Sequence, residues 1–197
     1  MKNIQLNIFD HHKTTTPIER GKYLISDPFL PGPFFDRSIV YIVEHGKEGT
    51  LGYIINKPSS LYPDELINDL YNFSGELYIG GPVGETSVNF LHKLGALIPN
   101  SRPITKSISW GGDFKALKAL INLGIANSDS VKFFAGYSTW SSGQLDDEIE
   151  NNAWIVADQS DLVLFNNNSN HIWVESMNNL GGIYKTWASF PKNPTFN

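Results

Sequence analysis

Two long runs of β-branched and aromatic residues, joined by a short glycine-bounded turn, restrict the fold of this chain more than any other feature. The runs cover residues 37–45 and 50–56, with Gly46 and Gly49 at the ends of the turn. This pattern predicts a β-hairpin. Because both runs are almost continuously apolar, each strand is expected to be covered on both faces and to lie in the centre of a sheet.

Shorter runs of the same kind extend the predicted sheet. Further strands are predicted at residues 22–26, 76–79, 87–92, 104–110, 131–135 and 154–157. Helices are predicted to begin at Pro63, after the Asp113 N-cap and near Gly143, with short ones at residues 161–165 and 171–177. Strands dominate the first half, which favours an α+β fold. We expect one domain at residues 21–197, preceded by a polar tail at residues 1–20.

Composition excludes several classes of function. The 197 residues carry 15 Lys+Arg against 20 Asp+Glu, a formal net charge of −5, and include no Cys. Disulfides, thiolate metal sites and cysteine nucleophiles are therefore absent. Without a cluster of basic residues, direct nucleic-acid binding is not expected. No apolar run is long enough for a membrane span or a secretory signal, so we expect a cytoplasmic protein, a monomer or a weak dimer.

Two glycine pairs resemble anion-binding loops. Gly80 and Gly81 precede Pro82, but the spacing of dinucleotide-binding and P-loop motifs is missing and a strand follows, so we interpret this segment as a tight structural turn. Gly111 and Gly112 precede a helix, where Asp113 would repel an anion. Helix capping is therefore the preferred interpretation of the second pair.

The histidines are the residues most suited to acid–base chemistry. Glu44 and His45 are adjacent in a predicted strand, so their side chains should point to opposite faces, and His92 ends another strand. No metal-ligand motif surrounds them, and a structural or hydrogen-bonding role is preferred. A triad of Ser38, His45 and Glu148 is conceivable, but Ser38 lacks the G-x-S-x-G surroundings of a nucleophile elbow. We expect neither a metal nor a cofactor.

The most unusual stretch covers residues 134–149. A strand is predicted to run into a loop that contains Tyr137 and Trp140, and a helix with Gln144 and Glu148 follows. One interpretation is an aromatic corner that packs the loop, with acidic side chains placed for the helix dipole. The other is a ligand-binding crevice at the carboxyl end of a strand, where apolar walls meet a few polar groups.

These blocks together resemble the AlgH/YqgE family of bacterial proteins, which are often described as transcriptional regulators. The resemblance covers roughly residues 21–177. It rests on residues 35–45 with Gly49, Gly52 and residues 56–58; on residues 78–83 and 90–92; and on residues 136–140, 143–145, 148–149 and 152–154. It implies a single α+β domain with a bent, partly barrel-like sheet flanked by helices, and it supplies no established reaction.

Two departures from the family bear on function. Members often carry Cys before the Glu-His pair, where this chain has Val43, so a thiol role does not apply. The Asp-Pro of the first loop is replaced by Gly32-Pro33, which removes one carboxylate. The helices also lack a basic recognition face, so any effect on gene expression would be indirect.

The sequence leaves two main hypotheses. The first is a non-enzymatic regulatory module that binds a small molecule or a protein. Its candidate surface comprises Arg37, Glu44, His45, Gly80, Gly81, His92, Tyr137, Trp140, Gln144 and Glu148. In this hypothesis Arg37 would hold a carboxylate or phosphate, between walls made by Tyr137 and Trp140. The alternative is a hydrolase-like enzyme that uses His45 or His92 as general base.

Overall fold

The computed structural model describes residues 16–30, 32–166 and 169–191. Most of the expected tail, residues 1–15, lies outside the described residues. The described strands are β1 (Tyr23–Ser26), β2 (Ile39–Gly46), β3 (Gly49–Ile54), β4 (Leu77–Ile79), β5 (Val83–His92), β6 (Arg102–Pro103), β7 (Ser109–Trp110), β8 (Val131–Trp140) and β9 (Trp154–Ala157). The described helices are α1 (Pro63–Leu66), α2 (Phe114–Asn122), α3 (Gln144–Glu150), α4 (Ser169–Leu180) and α5 (Gly182–Ala188), with a 3₁₀ turn at Gly95–Leu97.

The nine described strands form one open sheet in the order β6-β7-β5-β8-β3-β2-β1-β9, and β4 also pairs with β8. All pairs are antiparallel except β4 with β8. The hairpin predicted from the sequence is β2–β3, and both of its strands have neighbours on either side. The α+β expectation and the central position of the hairpin are confirmed.

The sheet is covered on both faces because residues along its strands alternate between them. Tyr23, Ile25, Tyr41 and Phe134 pack with Trp173 and Trp187 of α4 and α5. On the opposite face, one cluster joins Leu24, Val40 and Ile42 to Leu145 of α3. A second cluster there joins Phe133 and Phe90 to Leu117 and Ile121 of α2. The core between the sheet and helices α4 and α5 is therefore one continuous cluster, whereas the core on the opposite face consists of two clusters.

Three local predictions were wrong in whole or in part. Of the strand predicted at residues 104–110, only Ser109–Trp110 (β7) is a strand. Residues 104–108 form a tight turn between β6 and β7, because Thr105 accepts the backbone N–H of Ile108 and Ile104 donates to the Ile108 carbonyl. Residues 161–165 form successive turns and no helix. Strand β8 does not end at Ala135 but continues to Trp140, because Gly136 takes φ +69° and residues 138–140 pair with β3.

Helix α2 begins as its sequence predicts. The Asp113 carboxylate accepts the backbone N–H groups of Lys115 at 2.8 Å and Ala116 at 3.1 Å, which is the N-cap expected from its position. Helix α5 was not predicted. Among the described helices, none is long and apolar enough to cross a membrane.

Candidate functional site

Arg37 occupies a strained backbone position immediately before β2. Its φ is +49°, a left-handed conformation that non-glycine residues rarely adopt. The Asn56 side chain, just after the end of β3, holds this position, since its amide N–H donates to the Arg37 carbonyl at 2.9 Å and its oxygen accepts from Ile39 N–H at 2.8 Å. Strain of this kind persists only where surrounding contacts enforce it, and it is concentrated at functional sites.

The Arg37 side chain lies beneath α4 and the segment that follows α5. Its guanidinium carbon is 5.0 Å from the centre of the Trp173 ring, and one terminal nitrogen donates to the Phe190 carbonyl. The Trp173 indole is itself fixed by a 3.0 Å bond from its N–H to the Ser26 carbonyl. Arg37 therefore rests on a rigid aromatic wall.

The guanidinium has unused hydrogen-bonding capacity. Within the part of the chain that the structure describes, its Nε is buried without a hydrogen-bond partner, and no carboxylate forms an ion pair with the guanidinium. A guanidinium carries five N–H donors in a planar fork that matches a carboxylate or phosphate. A partly buried cation without a counter-charge is energetically costly, and an anion that reached it would remove that cost.

His92 is fully buried, and both of its ring nitrogens are engaged. Nδ1 accepts the Leu94 backbone N–H at 3.2 Å, so the proton lies on Nε2, which donates to the Gly111 carbonyl at 3.0 Å. Burial lowers the pKa of His92 below its usual value, and the bond to Gly111 opposes that shift. A neutral imidazole with no free lone pair cannot act as a general base. His92 instead ties β5 to the loop before α2.

Trp140, Gln144 and Glu148 do come together, as the crevice hypothesis required, but they satisfy one another. One Glu148 oxygen accepts the indole N–H groups of Trp140 at 2.8 Å and Trp154 at 2.7 Å, and the other accepts from the Gln144 amide at 2.9 Å. Phe35 packs on both tryptophans, with ring centres 6.1 and 5.3 Å apart. The arrangement matches the aromatic-corner interpretation, because these groups already use one another as hydrogen-bond partners.

Gly80 and Gly81 directly follow β4, where the chain lies very close to the backbone of β8. A Cβ on Gly80 would lie 2.3 Å from the Gly136 carbonyl oxygen, and one on Gly81 would lie 2.3 Å from the Tyr137 backbone. The half-buried Tyr137 ring packs beside Gly84. The glycines are therefore needed for close backbone approach, which agrees with the structural interpretation of the pair.

Glu44 and His45 lie at the exposed tip of the β2–β3 hairpin. His45 Nδ1 is 2.7 Å from the Thr50 hydroxyl, and Glu44 is 3.8 Å from Arg102 across an exposed surface. His45 also lines an open cleft of about 360 Å³ with Ile18, Glu19, Arg20 and Ile104. The register between β2 and β3 shifts at a β-bulge between Ile42 and Glu44, and Glu44 and His45 then pair regularly with Leu51 and Thr50.

The predicted site residues do not form one site. Arg37 and His45 stand at opposite ends of β2, about 25 Å apart at the rise of an extended strand. The Ser38 hydroxyl is buried and has no partner among the described residues, so the conceivable triad with His45 and Glu148 is not assembled. The walls next to Arg37 are Trp173 and the Phe190 segment, rather than Tyr137 and Trp140.

Lys132 is a chemically unusual residue that sequence reasoning missed. It is the second residue of β8, is only 5% exposed, and its Nζ is 3.5 Å from the centre of the Tyr78 ring. A lysine inside the apolar run of residues 131–135 was the available signal, because lysine is almost never fully buried without a partner. Among the described residues, no group of His, Asp or Glu is arranged to hold a metal ion.

Comparison with known proteins gives a consistent family relationship. A UPF0301 protein of Bacteroides thetaiotaomicron is 38% identical over 99% of this chain and 100% of its own length. A UPF0301 protein of Cytophaga hutchinsonii is 36% identical over 91% of this chain and 100% of its own length.

Two solved structures share the fold. A crystal structure of a Corynebacterium diphtheriae protein matches with a TM-score of 0.74 and 25% identity, covering 89% of this chain and 94% of that one. The solution structure of AlgH from Pseudomonas aeruginosa matches with a TM-score of 0.69 and 24% identity, covering 91% and 98%. The AlgH-like family model (DUF179) matches residues 23–185. This chain therefore belongs to the AlgH-like family.

Proposed function

We propose that this chain is a non-enzymatic binding module in which Arg37 recognises the carboxylate or phosphate of a small molecule or a partner protein. The observation that carries the proposal is the Arg37 guanidinium, which is held in a strained backbone against Trp173 with a buried, unpartnered Nε. A bound anion would complete the hydrogen bonding of this group and balance its charge.

Several observations favour binding over catalysis. The two ring nitrogens of His92 are occupied by backbone groups, and the Glu148 carboxylate is occupied by two indoles and an amide. His45 faces an open cleft at the far end of β2 from Arg37. The hydrolase-like alternative therefore lacks a base placed beside the anion-binding group.

The module would act in the cytoplasm and affect gene expression or metabolism indirectly. The net charge of −5 repels the negatively charged phosphate backbone of DNA, so direct DNA binding is not part of the proposal. In this proposal the protein is a monomer or a weak dimer, and sedimentation velocity across a concentration series tests that directly.

The binding test uses thermal unfolding and calorimetry with a panel of anions: inorganic phosphate, acetate, citrate and phosphorylated sugars. A ligand present at about 100 times its Kd should stabilise the native state by about 2.7 kcal/mol. Arg37→Gln should abolish the ligand-induced increase in thermal stability. Arg37→Lys should reduce it, because lysine keeps the positive charge but lacks the planar, forked N–H donors of the guanidinium.

Arg102 offers a matched control. Its guanidinium also lies over a tryptophan ring, 5.2 Å from the centre of Trp110, but its side chain is 70% exposed. Arg102→Gln should leave every ligand-induced shift unchanged. The proposal is wrong if no anion of the panel stabilises the wild-type protein, or if Arg37→Gln, folded by circular dichroism, binds as tightly as wild type.

A further inference from the structure

Lys132 is buried on the face of β8 that packs toward α4. Its neighbours Val131 and Phe133 point to the opposite face and join the α2 cluster, because side chains alternate along a strand. Lys132 therefore lies on the same side as Phe134, beneath Tyr78. A small pocket opens beside it.

The pocket has a specific lining. It is lined by Gly75, Glu76, Tyr78, Ser128, Val131, Lys132 and Phe165. The space that the centre of a water molecule can occupy in it is about 10 Å³, so it has room beside the amine for a group about the size of one water, and it opens to solvent.

The Lys132 amine is positioned by an aromatic ring and not by hydrogen bonds. Within the described residues, Lys132 Nζ makes neither a hydrogen bond nor an ion pair, and its close contact is the face of the Tyr78 ring. Tyr78 is fixed in turn by a 2.8 Å bond from its hydroxyl to the Glu76 carboxylate. This bond positions the ring over the amine.

Burial favours the neutral form of this amine, and the charged group Glu76 opposes it. Burial lowers the pKa of Lys132 to about 7, and the negative charge of Glu76 opposes the shift. Burial raises the pKa of Tyr78, so its phenol stays protonated. Lys93 lies on the Phe165 wall, with its Nζ 4.1 Å from that ring centre and bonded to the Asp129 carbonyl at 2.9 Å.

From this geometry we infer that Lys132 Nζ is a covalent attachment site for small aldehydes, which condense with it to an imine in the pocket beside Tyr78. The nitrogen lone pair attacks the carbonyl carbon and forms the C–N bond, giving a carbinolamine. The C–O bond then breaks, and the carbonyl oxygen leaves as water with the two protons of the amine. No oxidant or reductant is consumed. The inference is independent of the Arg37 proposal, since it involves another residue and another pocket.

Reductive trapping measures this chemistry directly. The folded protein is treated at pH 7 with propionaldehyde and sodium cyanoborohydride, which reduces an imine to a stable secondary amine, and the rate at each lysine is read by peptide mass spectrometry. An ordinary lysine is only about 0.04% neutral at pH 7, whereas Lys132 would be about half neutral. We expect Lys132 to be labelled at least about 10-fold faster than the exposed Lys115, after restricted access reduces the full difference.

The same reaction in 8 M urea is the internal control, since an unfolded chain should label Lys132 and Lys115 at similar rates. Lys132→Arg should remove the fast site, and Lys93→Arg should leave it. If Lys132 in the folded protein is labelled no faster than Lys115 but reaches the same rate in urea, burial protects the amine and the inference is overturned. A fast site that persists in Lys132→Arg would overturn it as well.

Discussion

At the scale of single residues, this protein uses most of its buried polar groups to satisfy one another. The Glu148 carboxylate accepts three side-chain hydrogen bonds, and His92 joins two backbone groups. Arg37 and Lys132 differ from this pattern, because each places a cation against an aromatic ring and keeps N–H donors without partners among the described residues. Those two side chains are therefore cations with unused hydrogen-bonding capacity.

The Glu148 cluster can be tested by exchanging its partners. Glu148→Gln replaces the carboxylate oxygen that accepts from Gln144 with an NH₂ group, so two N–H donors then face each other. This change should reduce the free energy of unfolding by about 1–3 kcal/mol. The double variant Glu148→Gln with Gln144→Glu restores an acceptor for every donor and should recover most of that loss. Urea unfolding of the four proteins measures the coupling. Additive losses would show that the two side chains do not interact as described.

Lys132 should make stability depend on pH in a defined window. Its folded pKa of about 7 lies below its value in the unfolded chain, so between these values the unfolded chain binds one more proton. Stability should therefore rise with pH above 7, by up to about 1.4 kcal/mol per pH unit. Lys132→Met should be more stable than wild type at pH 7, by roughly 1–4 kcal/mol, because no ammonium has to be buried or discharged.

The measurement is urea unfolding between pH 6.5 and 8.5, below the range in which tyrosines of the unfolded chain ionise. Lys115→Met removes the same charge from an exposed position and should keep the wild-type slope. If Lys132→Met shows the same slope as wild type, the lysine is not the source of the pH dependence.

At the scale of secondary-structure elements, β8 connects the two halves of the sheet. It pairs antiparallel with β3 and β5 and parallel with β4. Gly80, directly after β4, donates to the Ala135 carbonyl at 2.8 Å and accepts from Ile54 N–H at 2.9 Å, so it links three strands. The Ser138 hydroxyl adds a third bond to Gly80, at 3.1 Å to its carbonyl. The close approach of these backbones requires a residue without a side chain at position 80.

Gly80→Ala should therefore be strongly destabilising. Its Cβ would lie 2.3 Å from the Gly136 carbonyl oxygen, and a backbone group cannot move aside as a flexible side chain would. We expect a loss of about 2–4 kcal/mol in the free energy of unfolding. Gly46→Ala is the matched control, because a Cβ there has no atom within 4 Å and should change stability by less than about 0.5 kcal/mol. Equal losses in the two variants would contradict the close-approach argument.

At the scale of the whole molecule, one open sheet carries packed clusters on both faces. The cluster under α4 and α5 extends from Tyr23 of β1 to Phe134 of β8 and Leu91 of β5, so it spans most of the sheet. The clusters on the opposite face share the same strands. Local unfolding of one face would expose the other, and the domain should unfold as a unit.

Amide hydrogen exchange should reflect this arrangement. The slowest exchange is expected in β2, β3 and β8, which have strand neighbours on both sides and buried side chains, and the fastest in the two-residue strands β6 and β7 at the sheet end. Peptide-resolved mass spectrometry of exchange measures the difference. Much faster amide exchange in β5 and β8 than in β1, β2 and β3 would indicate that the part of the sheet packed against α2 unfolds separately.

The sequence by itself determined the strands of the central hairpin, the α2 N-cap and the α+β class, because β-branched runs, glycine turns and a capping aspartate act over a few residues. It also identified Arg37, and the block at residues 134–149 as distinctive. Only the tertiary structure decided that β8 continues through Gly136 to Trp140, that the Glu148 cluster is internally satisfied, and that Lys132 is buried beside Tyr78. Each of these depends on pairing or packing between residues distant in the chain, and a local pattern carries no information about which distant partner will be present.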